Sequence, residues 1–345
     1  MSDGRERLIE RFRHFAVAAR EQSPLYAALA GEVAGDETVL ALAARIDEDK
    51  LPPNMLLAAV HALLLSEYSK DPLARFYRSL TQRPAPPDEA WPEFRRFCLA
   101  HAVEILLLCR QRRTSTNEVQ RAAVLLPAFG LAARGETPLQ MIEVGCAAGL
   151  LLTWDRIGYD YGPLGRVHHP FAQFTLSCAA EGPVPLPAIL PPVQERIGLD
   201  LAPLDPLQQE DAQWLRALIW PEQLARRARL EQAIALARQH RPRIVAGDAL
   251  QSLPGVFAGL PRAGTVVVFH AFALAQFPEP AKRALLALLD ELGRQRPLWR
   301  VGLEHGPREL AYLSLQRHGA GAPERTLAEA TPHGEQLHWL EPAPR

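Results

Sequence analysis

The chain has 345 residues, of which 48% are hydrophobic and 22% are charged, and its formal net charge is −1. This length favours two domains, the composition excludes a wholly disordered chain, and the balanced charge argues against nucleic acid or an anionic membrane as a partner. The four cysteines lack zinc-ligand spacing, the N-terminal residues lack the apolar stretch of an export signal, and the apolar runs are well short of a membrane span. We therefore expect a cytoplasmic protein.

The first part of the chain shows apolar residues at helical spacing and few β-branched runs. We predict a helical N-terminal domain over residues 1–134. Within it, helices are predicted over Asn54–Leu65 and over Trp91–Arg110. Ser115 and Glu118 match the S-x-x-E capping box, which predicts the start of a further helix there.

The sequence changes character at Gly135–Pro138, a turn-rich stretch, after which short apolar runs alternate with helical patterns. This alternation predicts a mostly parallel sheet, and we predict an α/β Rossmann-like domain over residues 135–345. The strands predicted for this sheet are Leu139–Val144, Phe171–Cys178, Arg243–Ala246, Thr265–His270 and Leu298–Leu303. Three further runs, which predict a C-terminal antiparallel hairpin, are Ala311–Gln316, Arg325–Ala330 and Gln336–Leu340.

A long interval separates the second predicted strand from the third. It begins with a proline-dense stretch and then becomes helical, so we predict a helical insertion over Pro183–His240. Asp205 is a predicted N-cap with Pro206 at the first helical position, and Pro221 is predicted to restart a helix.

The first predicted strand runs into the turn Glu143-Val-Gly-Cys-Ala-Ala-Gly149. Glycine lets the backbone approach a ligand, and dinucleotide dehydrogenases use G-x-G-x-x-G at such a turn. The spacing here is G-x-x-x-G, with Glu143 two places before the first glycine. The turn therefore resembles the E/D-x-G-x-G-x-G turn of class I S-adenosylmethionine-dependent methyltransferases, with Ala147 where that superfamily commonly has glycine. The residues alone leave open a tight strand-to-helix connection with a buried or capping glutamate.

The resemblance implies that the turn binds the cationic methionine part of S-adenosylmethionine, through Glu143, Gly145, Ala147 and Gly149. It also implies an acid near the adenine, for which we select Asp248, and an acid near the ribose, for which we select Glu181. Asp248 has an alternative interpretation as the N-cap of the turn that follows it. For Glu181 the alternative is a solvated loop glutamate.

The segment after the turn is rich in aromatic and charged residues. Trp154 and Tyr159 are candidates to stack on a flat substrate, and Asp155 and Arg156 are candidates to orient or clamp it. We also take Asp155 as a candidate catalytic residue. The alternative is a helix end whose ion pair and aromatic rings close a seam between domains.

His270 ends the fourth predicted strand, at the edge where open α/β sheets bind ligands. A histidine titrates near neutrality, so His270 is the candidate general base for deprotonating a methyl acceptor. The alternative is a hydrogen-bonded structural histidine. His168-His169 and His101-x-x-Glu104 each lack a third ligand at metal-site spacing, so we predict no metal.

Several runs together resemble a bacterial family known as domain of unknown function 2332. They include Thr116-Asn-Glu118 with Arg121, the Glu143–Leu150 turn, Trp154-Asp-Arg156, Tyr159-Asp-Tyr-Gly162, Arg196-Ile-Gly-Leu-Asp200, Trp220-Pro221, Gly247-Asp-Ala249 and Pro332-His-Gly334. This resemblance implies no reaction. It implies one substrate-selecting surface between the helical region and the sheet edge, formed by Asn117, Arg121, Asp155, Arg156 and Tyr161.

Three functions follow as hypotheses. The leading one is an S-adenosylmethionine-dependent methyltransferase that acts on a small molecule by positioning it against the activated methyl group. The second is a non-catalytic protein that binds a nucleotide or S-adenosylmethionine on the same fold. The third is an NAD-dependent oxidoreductase. No oligomeric state is predicted.

Overall fold

The computed structural model describes residues 2–115, 117–133 and 138–342, and the chain forms two compact units. Unit 1 comprises Met1–Thr116 and Leu207–Ala228, and unit 2 comprises Asn117–Pro206 and Arg229–Arg345. The predicted domain boundary at residues 134 and 135 lies outside the described residues. Within the described ranges, no helix has the length and apolar character needed to cross a membrane.

Helices form most of unit 1, and unit 2 has helices of its own that pack on its sheet. They are α1 (Ser2–Ala19), α2 (Pro24–Val33), α3 (Glu37–Ala43), α4 (Pro52–Leu65), α5 (Trp91–Ala100), α6 (Ala102–Gln111), α7 (Arg121–Ala132), α8 (Gln209–Ala217), α9 (Leu224–Gln239), α10 (Ala249–Ala258) and α11 (Glu279–Gln295). The α4 helix is buried on nearly every side, as its apolar sequence predicts.

Three predictions about helix ends are wrong. The predicted helix Trp91–Arg110 is two helices, because His101 leaves helical geometry and packs its ring on neighbouring aromatic rings. Ser115 and Glu118 do not cap α7, which begins at Arg121, and Glu118 instead accepts a hydrogen bond from the backbone of Gln120. Asp205 does not cap α8, which begins at Gln209, and its carboxylate pairs with an arginine instead.

The strands of unit 2 form one large sheet and one small one. In chain order they are β1 (Leu139–Val144), β2 (Gly158–Asp160), β3 (Arg166–Val167), β4 (Thr175–Ser177), β5 (Ala179–Glu181), β6 (Val193–Asp200), β7 (Arg243–Ala246), β8 (Thr265–Ala271), β9 (Leu298–His305), β10 (Ala311–His318), β11 (Arg325–Ala330) and β12 (Gln336–Trp339). The large sheet has the order β5-β12-β11-β10-β9-β8-β1-β6-β7, and the small sheet has the order β3-β2-β4.

Five neighbouring strands run parallel, in the sheet order β7-β6-β1-β8-β9. The sheet then continues in antiparallel fashion with β10, β11 and β12. The prediction of an α/β fold with a mostly parallel sheet and an antiparallel C-terminal group is therefore confirmed. The parallel part follows the doubly wound order, in which the chain reverses direction across the sheet at β1.

The second strand of the parallel sheet was assigned wrongly from the sequence. Phe171–Cys178 contains β4, which belongs to the small sheet, whereas β6 pairs with β1 on one side and β7 on the other. The stretch Pro183–His240, predicted as a helical insertion, therefore contains a strand of the main sheet. The prediction missed β6 because Glu195 and Arg196 interrupt the apolar run that a buried parallel strand normally shows.

The two faces of the parallel sheet are covered differently. On one face, Ile142 and Val144 of β1 pack in a core with Val266 and Val268 of β8 and with side chains of α10 and α11. Successive side chains along a strand point to opposite faces, so Glu143 lies on the other face. That second face carries α7 and the 3₁₀ segment Leu150–Arg156.

Candidate functional site

The carboxyl end of β1 is the place where the strand order reverses. In open parallel sheets a crevice forms there, because the connections after neighbouring strands leave in opposite directions. The turn after β1 and the segment after β8 meet at this point, where Gly145 lies against Ala273. The topology therefore makes this edge the expected position of a ligand site.

Backbone geometry explains the two glycines of the turn. Gly145 and Gly149 have φ values of 72° and 67°, a region that side chains disfavour. An added Cβ would also lie 2.4 Å from the Cβ of Ala273 at the first position and 2.7 Å from Cδ1 of Ile244 at the second. Ala147 adopts φ of 49° despite its methyl group, which costs about 1–2 kcal/mol. The turn thus keeps a strained residue where glycine would be relaxed.

The amides of this turn are bonded within the protein. The Ala147 amide donates to Oδ2 of Asp200 at 2.8 Å, and the Ala148 amide donates to Oδ1 of Asn117 at 3.3 Å. Gly145 donates to the carbonyl of Leu199 at 2.8 Å. The turn is therefore held by side chains and backbone, and it is not an open cradle of amides for a phosphate.

Asp200 is the site residue that the sequence reasoning missed. It ends β6, and besides the Ala147 amide it accepts the Ala202 amide through Oδ1 at 2.9 Å. Each carboxylate oxygen keeps capacity for a further hydrogen bond. The signal that could have found it is Ile197-Gly-Leu-Asp200, an apolar run that ends in an acid.

Glu143 is the most unusual group at this edge. Its side chain is 3% exposed, and Oε2 is buried without a hydrogen-bond partner among the described residues. Burial raises the pKa of Glu143 well above its usual range, the charge of Asp200 raises it further, and Arg121 opposes both. A buried carboxyl oxygen left unpaired is costly, which makes Glu143 the leading candidate for a ligand contact at this edge.

Two residues predicted from the family resemblance lie beside this carboxyl group or its turn. Asn117 holds the turn through Oδ1, while its Nδ2 is buried without a hydrogen-bond partner in the described part of the chain. Arg121 is buried, donates from Nε to the carbonyl of Pro332 at 3.0 Å, and stacks over the ring of Phe272 at 4.1 Å. Phe272 has a φ of 59°, a strained value for a bulky residue and one that concentrates at functional sites.

We call Asn117, Arg121, Glu143, Asp200 and the turn 145–149 the β1-edge site. It combines two acids, one guanidinium and one unpaired amide donor, and one oxygen of the acid Glu143 is unpaired as well. Such a set offers complementary partners both for a positive and for a negative group. Among the described residues, no three histidine, cysteine, aspartate or glutamate side chains form a metal-binding group, and the absence of a metal stays a prediction.

The aromatic candidates lie in the packed interior. The side chains of Trp154, Tyr159 and Tyr161 are fully buried, and Trp154 packs on Phe129 with ring centroids 4.8 Å apart. The Tyr159 hydroxyl donates to the carbonyl of Trp154, and the Tyr161 hydroxyl donates to that of Ala123, each at 2.6 Å. Their burial leaves no ring face open to a planar substrate.

Asp155 and Arg156 end the 3₁₀ segment that follows the turn. Asp155 is buried in a two-point ion pair with Arg196 of β6, and it also contacts Arg156 at 3.3 Å. This arrangement fits the alternative of a structural ion pair for Asp155. Its predicted catalytic role is not supported by any contact with the β1-edge site.

His270 lies on the opposite face of the sheet from Glu143, on the side of Val266 and Val268. Its Nδ1 bonds Oε1 of Glu304 at 2.7 Å, and its Nε2 is 3.4 Å from Nη1 of Arg300. Its side chain is 1% exposed. Both ring nitrogens are therefore engaged in a buried network, and the structure does not bring His270 to the β1-edge site.

The two remaining cofactor candidates lie at different edges. Asp248 follows β7 and caps α10 by accepting the amide of Leu250 at 2.7 Å, so its N-cap interpretation is confirmed. Glu181 ends β5 at the far edge of the sheet, where its side chain is 81% exposed near His338. The premise for Glu181 as a ribose ligand is wrong, because Asp200, and not Glu181, ends the second parallel strand.

The fold defines an α/β protein with a doubly wound sheet, and the β1-edge site lies at the carboxyl edge of that sheet. The family whose model matches residues 9–339 is described as an uncharacterized protein conserved in bacteria, domain of unknown function 2332 (DUF2332). The chain belongs to this family, which confirms the resemblance seen in its motifs. No curated protein and no solved structure matches the chain.

Proposed function

We propose that the chain binds S-adenosylmethionine at the β1-edge site and transfers its methyl group to a small molecule. The observation that carries the proposal is Glu143, a buried acid with an unpaired Oε2 at the reversal point of the sheet. A cationic donor at this oxygen removes the cost of leaving it unpaired. It also compensates for the repulsion between Glu143 and Asp200.

The residues around Glu143 fit the groups of this cofactor. Its ammonium and sulfonium groups are cationic, and Glu143 and Asp200 supply the nearby negative charge. Its carboxylate accepts hydrogen bonds, and Nδ2 of Asn117 is a buried donor without a partner in the described part of the chain. Asp200 ends the second strand of the sheet, the position from which doubly wound proteins bind ribose hydroxyls.

When bound, the cofactor supplies a methyl group activated by its positively charged sulfur. The contribution of this chain is to orient that group and to exclude water from it, since Glu143 is buried and hydrogen bonds hold Arg121 and Asn117. His270 belongs to the other face, so the proposal assigns no proton transfer to it. Methyl transfer here rests on positioning of the acceptor.

The geometry counts against an NAD-dependent oxidoreductase. Pyrophosphate binding at a Rossmann turn needs free backbone amides at the start of an α-helix. Here Ala147 and Ala148 already donate to Asp200 and Asn117, and a 3₁₀ segment follows the turn.

A second candidate function is binding of the same cofactor without catalysis. The observation that favours it is the engagement of both nitrogens of His270, the predicted general base, on the wrong face of the sheet. It predicts cofactor binding with no methyl transfer to any nucleophile offered.

Calorimetric titration of the purified chain with S-adenosylmethionine, S-adenosylhomocysteine and NAD tests the proposal. We expect binding of the two sulfur compounds and none of NAD. Burial raises the pKa of Glu143 in the free protein, and a bound cation would lower it, so binding should release protons and the measured heat should vary with the ionisation enthalpy of the buffer.

The matched variants are Glu143→Gln and Glu181→Gln, the same change at a buried and at an exposed position. Glu143→Gln should weaken binding roughly 10- to 100-fold and abolish proton release, since a charged hydrogen bond contributes about 1.5–3 kcal/mol. Glu181→Gln should change neither. Absence of heat with both sulfur compounds contradicts the proposal, and equal affinities for the two variants remove Glu143 from the site.

A further inference from the structure

A second polar cluster of unit 2 lies away from the β1-edge site, around the carboxylate of Asp155. Two guanidinium groups share this carboxylate, because Arg196 forms a two-point ion pair with it and Nε of Arg156 lies 3.3 Å from Oδ2. Arg196 by itself neutralises Asp155. Arg156 therefore leaves one positive charge uncompensated, on a side chain that is 31% exposed and reachable from solvent.

The hydrogen bonds of Arg156 and His169 leave two donors facing each other. The backbone amide of Phe171 donates to Nδ1 of His169 at 3.1 Å, and this hydrogen bond favours the neutral tautomer with its proton on Nε2. Nη1 of Arg156 lies 3.2 Å from that Nε2, so in this tautomer two donors face each other. The Nε of Arg156 is buried against the Asp155 carboxylate, so the ligand would meet the outer nitrogens of the guanidinium. An acceptor from outside the chain satisfies these donors.

A second histidine lies within electrostatic range of the same charges. Burial lowers the pKa of His240, and the charges of Arg156 and Arg196 lower it further, against the opposing effect of Asp155. Burial and the charge of Arg156 likewise lower the pKa of His169. Gln173 donates to Gln239 at 2.6 Å, which ties the segment after His169 to the end of α9 beside His240.

We propose that Arg156 and His169 form a binding site for an oxyanion, with a phosphate-type dianion as its preferred ligand and His240 as a neighbouring histidine that senses its charge. One ligand oxygen accepts from Nη1 of Arg156 and from Nε2 of His169, and the second negative charge favours protonation of both histidines. Guanidinium and imidazolium groups are the usual partners of phosphate oxygens.

This site is separate from the β1-edge site. Arg196 lies four residues before the end of β6, which corresponds to about 13 Å along the strand. Arg156 ends the 3₁₀ segment, seven residues beyond Gly149. The charge of the two sites also differs, since carboxylates dominate the first and cations the second. The proposal holds whether or not the chain binds S-adenosylmethionine.

Nuclear magnetic resonance of the histidine rings tests the proposal, with inorganic phosphate as the probe and chloride at matched ionic strength as the reference. His169→Gln and His240→Gln assign the two signals. We expect millimolar phosphate to raise the pKa of His169 and of His240, because the dianion compensates for Arg156 and Arg196. We also expect phosphate to raise the melting temperature more than chloride does.

Arg156→Gln and Arg166→Gln form the matched pair, since Arg166 is an exposed arginine of the same region that pairs with Asp160. Arg156→Gln should weaken phosphate binding at least tenfold, and Arg166→Gln should leave it unchanged. If Arg156→Gln does not fold, His169→Gln serves in its place and should weaken binding similarly. Unshifted histidine pKa values in phosphate, or equal affinities of the Arg156 and Arg166 variants, overturn the proposal.

Discussion

Two glutamates near the carboxyl ends of strands of the large sheet, Glu304 of β9 and Glu143 of β1, have pKa values that are shifted in opposite directions. Glu304 of β9 accepts hydrogen bonds from His270 and from the amides of Ala273, Leu274 and Ala275. Burial alone would raise the pKa of Glu304, but these bonds and the proximity of His270 hold it below its usual value. Glu143 of β1, on the other face, has an unpaired oxygen and a raised pKa.

The difference separates a structural acid from a candidate ligand-binding acid. The chain itself satisfies the charge of Glu304, which therefore supports the loop after β8. The chain leaves Glu143 unsatisfied, so burial of this acid costs stability that a bound cation would restore. Groups that lower stability in the free protein concentrate at functional sites.

The largest effect should come from removing the structural acid. Glu304→Gln places an amide nitrogen among several donors, and we expect it to lower the free energy of unfolding by about 3 kcal/mol. Urea denaturation measures this, with the exposed Glu291→Gln of α11 as the control. Because the folded pKa of Glu304 is lowered, its contribution is present above its unfolded pKa and is lost as pH falls through the folded value. The free energies of unfolding of the native chain and of Glu304→Gln should therefore converge at acid pH.

Replacing Glu143 should change the free energy of unfolding in the opposite direction. Because its folded pKa is raised, its favourable contribution is present below the unfolded pKa and is lost as pH rises towards the folded value. Glu143→Gln should therefore be more stable than the native chain, by on the order of 1.5 kcal/mol at neutral pH. The difference in stability between Glu143→Gln and the native chain should grow as pH rises above the unfolded pKa of a glutamate. A gap that is constant from acid to neutral pH would show that Glu143 is already charged in the folded chain.

The smallest effect should come from the turn. Ala147→Gly removes the strain of a positive φ and should stabilise the fold by up to about 1 kcal/mol. Ala148→Gly, at a residue without positive φ, should instead destabilise it by about 0.5–1 kcal/mol. Thermal unfolding of the two variants measures the difference. If the proposed cofactor passes over Ala147, its affinity should also rise in Ala147→Gly, and equal shifts in both variants would exclude strain at this residue.

Local patterns sufficed for much of the sheet. The predicted bounds of β1, β7 and β11 agree with the structure, because each is a short run set off by turn residues. The glycine positions of the β1 turn also agree, since only glycine tolerates both the positive φ and the close neighbours there. Such features depend on a few adjacent residues, so a single sequence reveals them.

Contacts between distant residues could not be inferred in this way. The charge of Arg196 argues against a buried strand at β6, since the sequence does not show that the charge is paired. Its partner, Asp155, is 41 residues away in the chain. Asp200 meets the Ala147 amide across 53 residues, and this contact reveals the β1-edge site.

The sequence by itself therefore determined the class of fold, the family and the turn that ends β1. The folded structure was needed to show that Glu143 and His270 lie on opposite faces, that Asp200 and not Glu181 ends the second parallel strand, and that Arg156 lies against His169. The physical reason is that strand periodicity and turn chemistry act between neighbours in the chain. Strand order and the pairing of buried charges depend on which distant segments meet.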